Sequence, residues 1–339
     1  MNPQICTLGM SVLLVELAQR VYGPSTAGEF VNKYRSIEVI GLKAEQGEIR
    51  RSGVIITTAA TAYVNNGHKV ARTNPNYVTP GKRHKLQKIL LSLDDNRELK
   101  RYVSFDKAGA RISVSNSREK LFSYTANAIK QSLMGKGSPE QVKQTANLMN
   151  LWRVFQADVK ELDRSASTQV TDRLTSKAAE KEGTDQTIYQ HSFPLNDIGQ
   201  LVRDYLGVDC NGFVNLYLMS KYPDLTIRSA HEMEDVYVQG GKHQNKVNKN
   251  LRNSTEEIQA DDAVVFYKNH YHHIAVVNTV FRRNKDIAVV SLAESRGSSM
   301  GGVQTNTFTI RRQPTKHQFS IDGRNEEFVK IVAPDRWKP

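Results

Sequence analysis

Apolar and polar positions follow two different rhythms along this chain. Near the N-terminus, residues 8–21 place apolar side chains at helical spacing and stop at Gly23-Pro24. Residues 53–64 are rich in Val, Ile and Thr and read as a strand, although Ala59, Ala60 and Ala62 also suit a helix. Helical spacing returns over 86–93 and 118–134. Ser138-Pro139-Glu140-Gln141 has the form of a capping box with Pro at the first helical position, so a long helix is expected from there to about Leu162. Residues 164–186 carry few large apolar side chains and predict a linker or an exposed helix.

Beyond that polar stretch the rhythm changes. An amphipathic segment, 195–206, leads to Asp209, and a second helix is expected from Cys210 to about Tyr222, stopped by Pro223. Residues 232–257 are polar and read as a long loop that could cover a site. Short apolar runs then recur at 263–268, 272–281, 287–294, 303–311 and 328–332, with a hairpin turn at 282–286. Helices followed by an antiparallel meander predict an α+β fold. The expected organisation is a mainly helical, basic N-terminal domain over 1–163, a linker over 164–186, and a C-terminal domain over 187–339.

Composition refines this picture in three ways. The 339 residues suffice for two domains, and 39% hydrophobic content supports a real core. The net charge is +12, and residues 1–185 hold 28 Lys and Arg against 18 Asp and Glu, while residues 186–339 hold 19 against 17. The basic surplus thus lies in the first half, where Lys82-Arg83-His84-Lys85 and Lys100-Arg101 are the candidate patches for an anionic polymer. Two cysteines far apart, Cys6 and Cys210, exclude a disulfide scaffold and a cysteine-rich zinc site. The first apolar stretch lacks a basic lead-in and is broken by Glu16, so it reads as a helix and not as a signal peptide. The expected product is cytoplasmic as made, with any delivery to the envelope or to another cell needing a dedicated route.

Candidate chemistry centres on Asp209-Cys210-Asn211-Gly212-Phe213-Val214. Asp209 is a good helix N-cap, which places Cys210 in the first helical turn. The positive end of a helix dipole favours a thiolate over a thiol. Gly212 would let a substrate backbone approach closely. A cysteine nucleophile needs a base, and the base needs an orienting partner. His273 opens a strand with Ala275 and Val277 on its face, and Ala275 is small enough to let the cysteine helix pack close. Glu294, at the end of the next strand, could accept the imidazole N–H; Ser291 is the alternative. His270 and His272 share the opposite strand face, but no partner set for a metal accompanies them, so neither metal nor cofactor is expected.

Asp-Cys-Asn-Gly-Phe-Val resembles the Asp-Cys-Ser-Gly-(Phe/Leu)-Val signature of the NlpC-type, papain-like cysteine peptidases of bacterial cell walls. Asp261-Asp262-Ala263-Val264-Val265-Phe266, His273-Ile274-Ala275-Val276-Val277 and Val289-Val290-Ser291-Leu292-Ala293-Glu294 follow in the order of that family's later strands. The resemblance covers roughly residues 190–335. It implies a papain-like domain in which the cysteine helix packs on an antiparallel sheet, with Cys210, His273 and Glu294 as the catalytic set. Asp209, Asn211 and Gly212 would line the substrate site. The family's Tyr-x-Trp-Gly-Gly element is missing, and either Tyr205 or Tyr189 would stand in for its tyrosine.

That resemblance implies hydrolysis of amide bonds in peptidoglycan stem peptides. The same residues would equally serve an acyltransferase, deamidase or amidase acting on another substrate. A delivered effector of this kind would have a cognate immunity or inhibitor protein as partner. The remaining alternative is a non-catalytic binder of anionic polymer.

Overall fold

The computed structural model describes residues 26–45, 48–64, 80–93, 103–106, 121–165, 197–222, 251–268, 271–297, 302–314, 317–323 and 328–334. Contacts divide the chain into two compact units, one of residues 1–34 with 208–339 and one of residues 35–207.

Six strands dominate the first unit: β5 (Ala263–Tyr267), β6 (Tyr271–Arg283), β7 (Ile287–Arg296), β8 (Gly302–Arg312), β9 (Phe319–Ile321) and β10 (Phe328–Val332). All neighbours pair antiparallel, in the order β10-β5-β6-β7-β8-β9, and β9 pairs back onto β10 to close a barrel. Register breaks in β6 at Val277/Thr279 and Val280/Arg282 supply the bends that closure requires. Alternate residues point inward, so Val264 and Phe266, Ala275 and Val277, Val290 and Leu292, Ile310, Phe319 and Ile331 fill the interior. Intervening residues such as Ile274, Val276 and Ala293 are buried as well. The barrel wall is therefore covered on its outer side over β6 and β7, the strands on which the cysteine-bearing helix packs.

That helix, α6 (Cys210–Lys221), is backed by α1 (Ala27–Arg35). Phe30 lies 5.4 Å from Phe213 and 5.7 Å from Tyr217 between ring centroids, and Tyr34 lies 6.2 Å from Phe213. Gly28 donates its N–H to Asn278 Oδ1 of β6 at 2.6 Å, which docks α1 on the barrel. At the far end of α6, Asp261 adopts a left-handed backbone (φ 74) just before β5. Its carboxylate accepts from the Tyr217 hydroxyl at 2.5 Å and pairs with Lys221 Nζ at 2.8 Å. The buried Arg252 guanidinium meets Asp262 in a two-pronged pair at 3.0 and 2.8 Å, while the Arg252 N–H reaches Ile331 O. This ties the segment ahead of β5 to β10.

The second unit combines a hairpin, β1 (Ile37–Glu45) with β2 (Glu48–Thr58), and a parallel pair, β3 (Val103–Asp106) with β4 (Phe122–Thr125). Its helices are α2 (Pro80–Ser92), α3 (Ala126–Leu133), α4 (Pro139–Ser165) and α5 (Ile198–Tyr205). The expected capping box is formed: Ser138 N–H donates to Gln141 Oε1 and Gln141 N–H to Ser138 Oγ. Helix α4 then covers β1, where Asn147 Oδ1 accepts the Ile40 N–H and Asn150 Nδ2 donates to Ile40 O, each at 2.8 Å. Two buried carboxamides thereby satisfy a strand edge beside which the described residues place no further strand. The two ends of this unit meet: Ile37 pairs with Thr58, the Thr58 hydroxyl donates to Gly199 O, and Ala62 bridges Gly207.

Two expectations are corrected. The C-terminal half is not a papain-like helix-on-sheet domain, because its sheet closes on itself as a six-stranded antiparallel barrel. Nor is the N-terminal half mainly helical, since β1, β2, β3 and β4 belong to it; residues 122–125, inside the expected helix 118–134, form β4. Ala275 is fully buried among the barrel's apolar residues. Unit boundaries fall at 34/35 and 207/208, whereas most of the expected 164–186 linker lies outside the described residues. A chain starting at 187 would lack Phe30 and Tyr34, which pack against the cysteine helix. The helix expected at 8–21 and the loop over 232–250 also lie outside the described residues.

Candidate active site

Helix α6 starts where the Asp-Cys-Asn-Gly sequence predicts. Asp209 has an extended backbone and its Oδ1 accepts the Gly212 N–H at 2.6 Å, so it is the N-cap and Cys210 is the first helical residue. Asp209 and Gly212 thus have a structural duty: the Gly212 amide is held by the cap and is not an oxyanion donor. Cys210 is buried, with 5% of its surface exposed. The fully buried Tyr34 stands close enough for the Asp209 charge to act on it; burial, and then that charge, hold its phenol well above the usual range.

His273 and Glu294 meet in the barrel. The His273 Nε2 and Glu294 Oε2 lie 2.7 Å apart, both side chains are buried, and Glu294 is fully so. Strand pairing explains the contact: Ala275 stands opposite Glu294, so His273, two residues earlier on the same face, lies diagonally across from it. Phe266, directly opposite His273, places its ring 5.1 Å from the imidazole. The Arg296 guanidinium lies over the other part of this cluster, 5.9 Å from the Phe266 ring, with Nε 3.7 Å from Glu294 Oε2. Asn306 Nδ2, on β8, donates to Glu294 Oε1 at 3.2 Å.

Helix start and buried pair are joined through Ser295. It follows Glu294, faces the opposite side of β7, and donates its Oγ–H to Val208 O at 2.5 Å. The chain entering Cys210 is therefore pinned to the strand end that carries Glu294.

No family model, curated protein or solved structure matches this chain.

The other expected residues fall elsewhere. Tyr205 ends α5 in the 35–207 unit and is buried, which raises its phenol above the usual range. Asn211 follows Cys210 in the first turn of α6 and is half-buried. Tyr189 and His270 lie outside the described residues; His272 is exposed at the start of β6. Ser291 pairs across to Thr279 and Thr307, three residues from the imidazole's partner, so Glu294 and not Ser291 meets His273. Among the described residues no group of three or more His, Cys, Asp or Glu could hold a metal. No helix among them is long and apolar enough to cross a membrane. Of the basic patches, Arg83 is turned inward and buried, His84 and Lys85 are exposed, and Lys100-Arg101 lies outside the described residues.

Reading the sequence missed Asn306 and Arg296 as companions of Glu294. A signal existed for Asn306: on β8, Gln304 and Asn306 continue the alternation of Phe308 and Ile310, yet are polar at inward positions. A polar pair interrupting an inward apolar face marks a strand end with something polar to meet.

Proposed function

We propose that this chain is a cysteine hydrolase of amide bonds, with Cys210 as nucleophile, His273 as general base and acid, and Glu294 as the group that orients it. The observation that carries this reading is the buried His273–Glu294 pair, 2.7 Å apart, on the two strands against which the Cys210 helix packs. A histidine and a glutamate buried together at one end of an apolar barrel carry a desolvation cost that their pairing offsets only in part, which suits a pair kept for chemistry. Because Glu294 engages Nε2, the nitrogen assigned to the thiol is Nδ1. Proton transfer from Cys210 to Nδ1 gives a thiolate and an imidazolium, and Glu294 stabilises the latter. The thiolate attacks the amide carbonyl to form a thioester, and the imidazolium protonates the leaving amine. Water, deprotonated by Nδ1, then releases the acid and restores the thiol. The helix dipole at the start of α6 favours both the thiolate and the oxyanion that follows.

Peptidoglycan stem peptides are the proposed substrate class, on the strength of the resemblance at 209–214, 261–266 and 273–277. The test is mass spectrometry of purified peptidoglycan after incubation with the wild type and Cys210→Ala. New peptide ends made by the wild type alone support the reading; ends made equally by both remove Cys210 from the chemistry.

A further inference from the structure

We propose that Asn306 is the positioning residue of this site, acting through Glu294 from a third strand. The proposal rests on the thiol-hydrolase reading and adds a component that its triad lacks. A carboxylate with no exposed surface needs a donor at each oxygen, because an unsatisfied buried charge is driven to protonate or to turn away. Glu294 Oε2 is occupied by His273 at 2.7 Å, with Arg296 Nε further off at 3.7 Å. Oε1 points to β8 and receives Asn306 Nδ2 at 3.2 Å. His273, Glu294 and Asn306 thus run in a row across β6, β7 and β8. Register keeps the row straight: Asn306 stands opposite Leu292, and Leu292 and Glu294 share one face of β7. Without Asn306 the carboxylate can rotate about its last torsion and present Oε2 to His273 at the wrong angle. With Asn306, one oxygen is anchored and the other is aimed.

Arg296 and Asn306 divide the work. The guanidinium places positive charge beside Glu294, from a distance too long for a hydrogen bond. Asn306 supplies direction. A neutral carboxamide suits that place, since a second cation on Oε1 would weaken the hold of Glu294 on the imidazolium.

The test needs no knowledge of substrate. The rate of iodoacetamide alkylation at Cys210 is measured against pH on the full chain, with Cys6 distinguished by peptide mass spectrometry. Asn306→Leu keeps the volume and removes the donor; Asn306→Gln keeps a carboxamide. Asn306→Leu should move the alkylation midpoint to higher pH and slow labelling at pH 7 roughly tenfold, as loss of one bond to a charged group predicts. Asn306→Gln should recover part of that loss. A residue that merely supports the barrel would lower the melting temperature and leave the midpoint in place, and that result overturns the proposal. If Asn306→Leu leaves the profile unchanged while Glu294→Gln moves it, the positioning role is wrong and the triad stands. If His273→Ala and Glu294→Gln also leave it unchanged, the triad itself is wrong.

Discussion

Replacing Glu294 by Gln is the sharpest single perturbation of this site. The change keeps the shape of a fully buried side chain and removes its charge. It also removes an acceptor. Glu294 serves His273 with one oxygen and Asn306 with the other; a carboxamide has one oxygen, so it can serve only one of them and must set its own N–H₂ against the second donor. Hydrogen bonds to charged groups contribute roughly 1.5–3 kcal/mol. Since one pKa unit corresponds to about 1.4 kcal/mol, losing the imidazolium's partner should raise the apparent pKa of Cys210 by about 1–2 units. The sign follows from the ion pair: Glu294 favours the imidazolium, the imidazolium favours the thiolate, and removing the first link favours the neutral thiol. Alkylation of Cys210 should therefore shift to higher pH by that amount, and hydrolysis at neutral pH should fall roughly 10- to 100-fold. Thermal unfolding run in parallel should show a loss of about 1–3 kcal/mol for the unmatched donor. An unchanged alkylation profile, with the protein folded, would refute the argument that Glu294 acts on the nucleophile through His273.

Phe30→Ala should destabilise the barrel unit by about 3–5 kcal/mol, because its ring is buried against Phe213, Tyr217 and Tyr34; denaturant unfolding followed by protease sensitivity of the barrel would show it, and a neutral result would mean that α1 is not part of this unit. Breaking the buried Arg252–Asp262 pair by Asp262→Ala should cost about 3–5 kcal/mol, since it strands a buried guanidinium, whereas replacing both partners by apolar residues should cost less. Alkaline titration should reveal protected tyrosines. Burial pushes Tyr267 up to about 12, and burial with the Asp261 bond holds Tyr217 above the ordinary phenol range. Folded pKa values above the unfolded value mean that this stability is complete below about pH 10 and lost as pH rises beyond it. Absorbance at 295 nm should accordingly show tyrosines that ionise only together with unfolding, and a smooth titration near pH 10 with the fold intact would contradict it.

Much of the barrel unit was legible because its strands announce themselves. Each of β5, β6, β7, β8 and β10 is an apolar run bounded by polar turns, and the Asp209 cap and the Cys210 helix start follow from residue type alone. Closure of the barrel was not legible. It depends on β9, three residues long, which pairs with β8 on one side and β10 on the other; a segment that short carries no periodicity. The first half misled for a different reason. The strand β1 alternates imperfectly around the register break between Ile40 and Leu42, and its free edge is satisfied by Asn147 and Asn150, more than a hundred residues away. Within the site, His273 and Glu294 could be paired from strand order, while Asn306 needed the register of β7 against β8.

The return of the chain to its starting corner has a consequence for how this protein comes to be made. Residue 34 leaves the barrel unit and residue 208 re-enters it, and the Asp209 charge reaches Tyr34, so exit and entry are neighbours. Closing a floppy loop of that length would cost on the order of 4–5 kcal/mol in chain entropy. The 35–207 segment has contacts of its own, however, that bring Ile37 to Thr58, Thr58 to Gly199 and Ala62 to Gly207. During synthesis from the N-terminus, α1 must wait through the whole of that segment before the cysteine helix emerges, and longer still for the strands that carry His273, Glu294 and Asn306. In chain order β10 is the last of the six barrel strands, and it shuts the barrel by pairing with β5 and β9. The barrel, and with it the row of His273, Glu294 and Asn306, is complete only once β10 pairs with both β5 and β9.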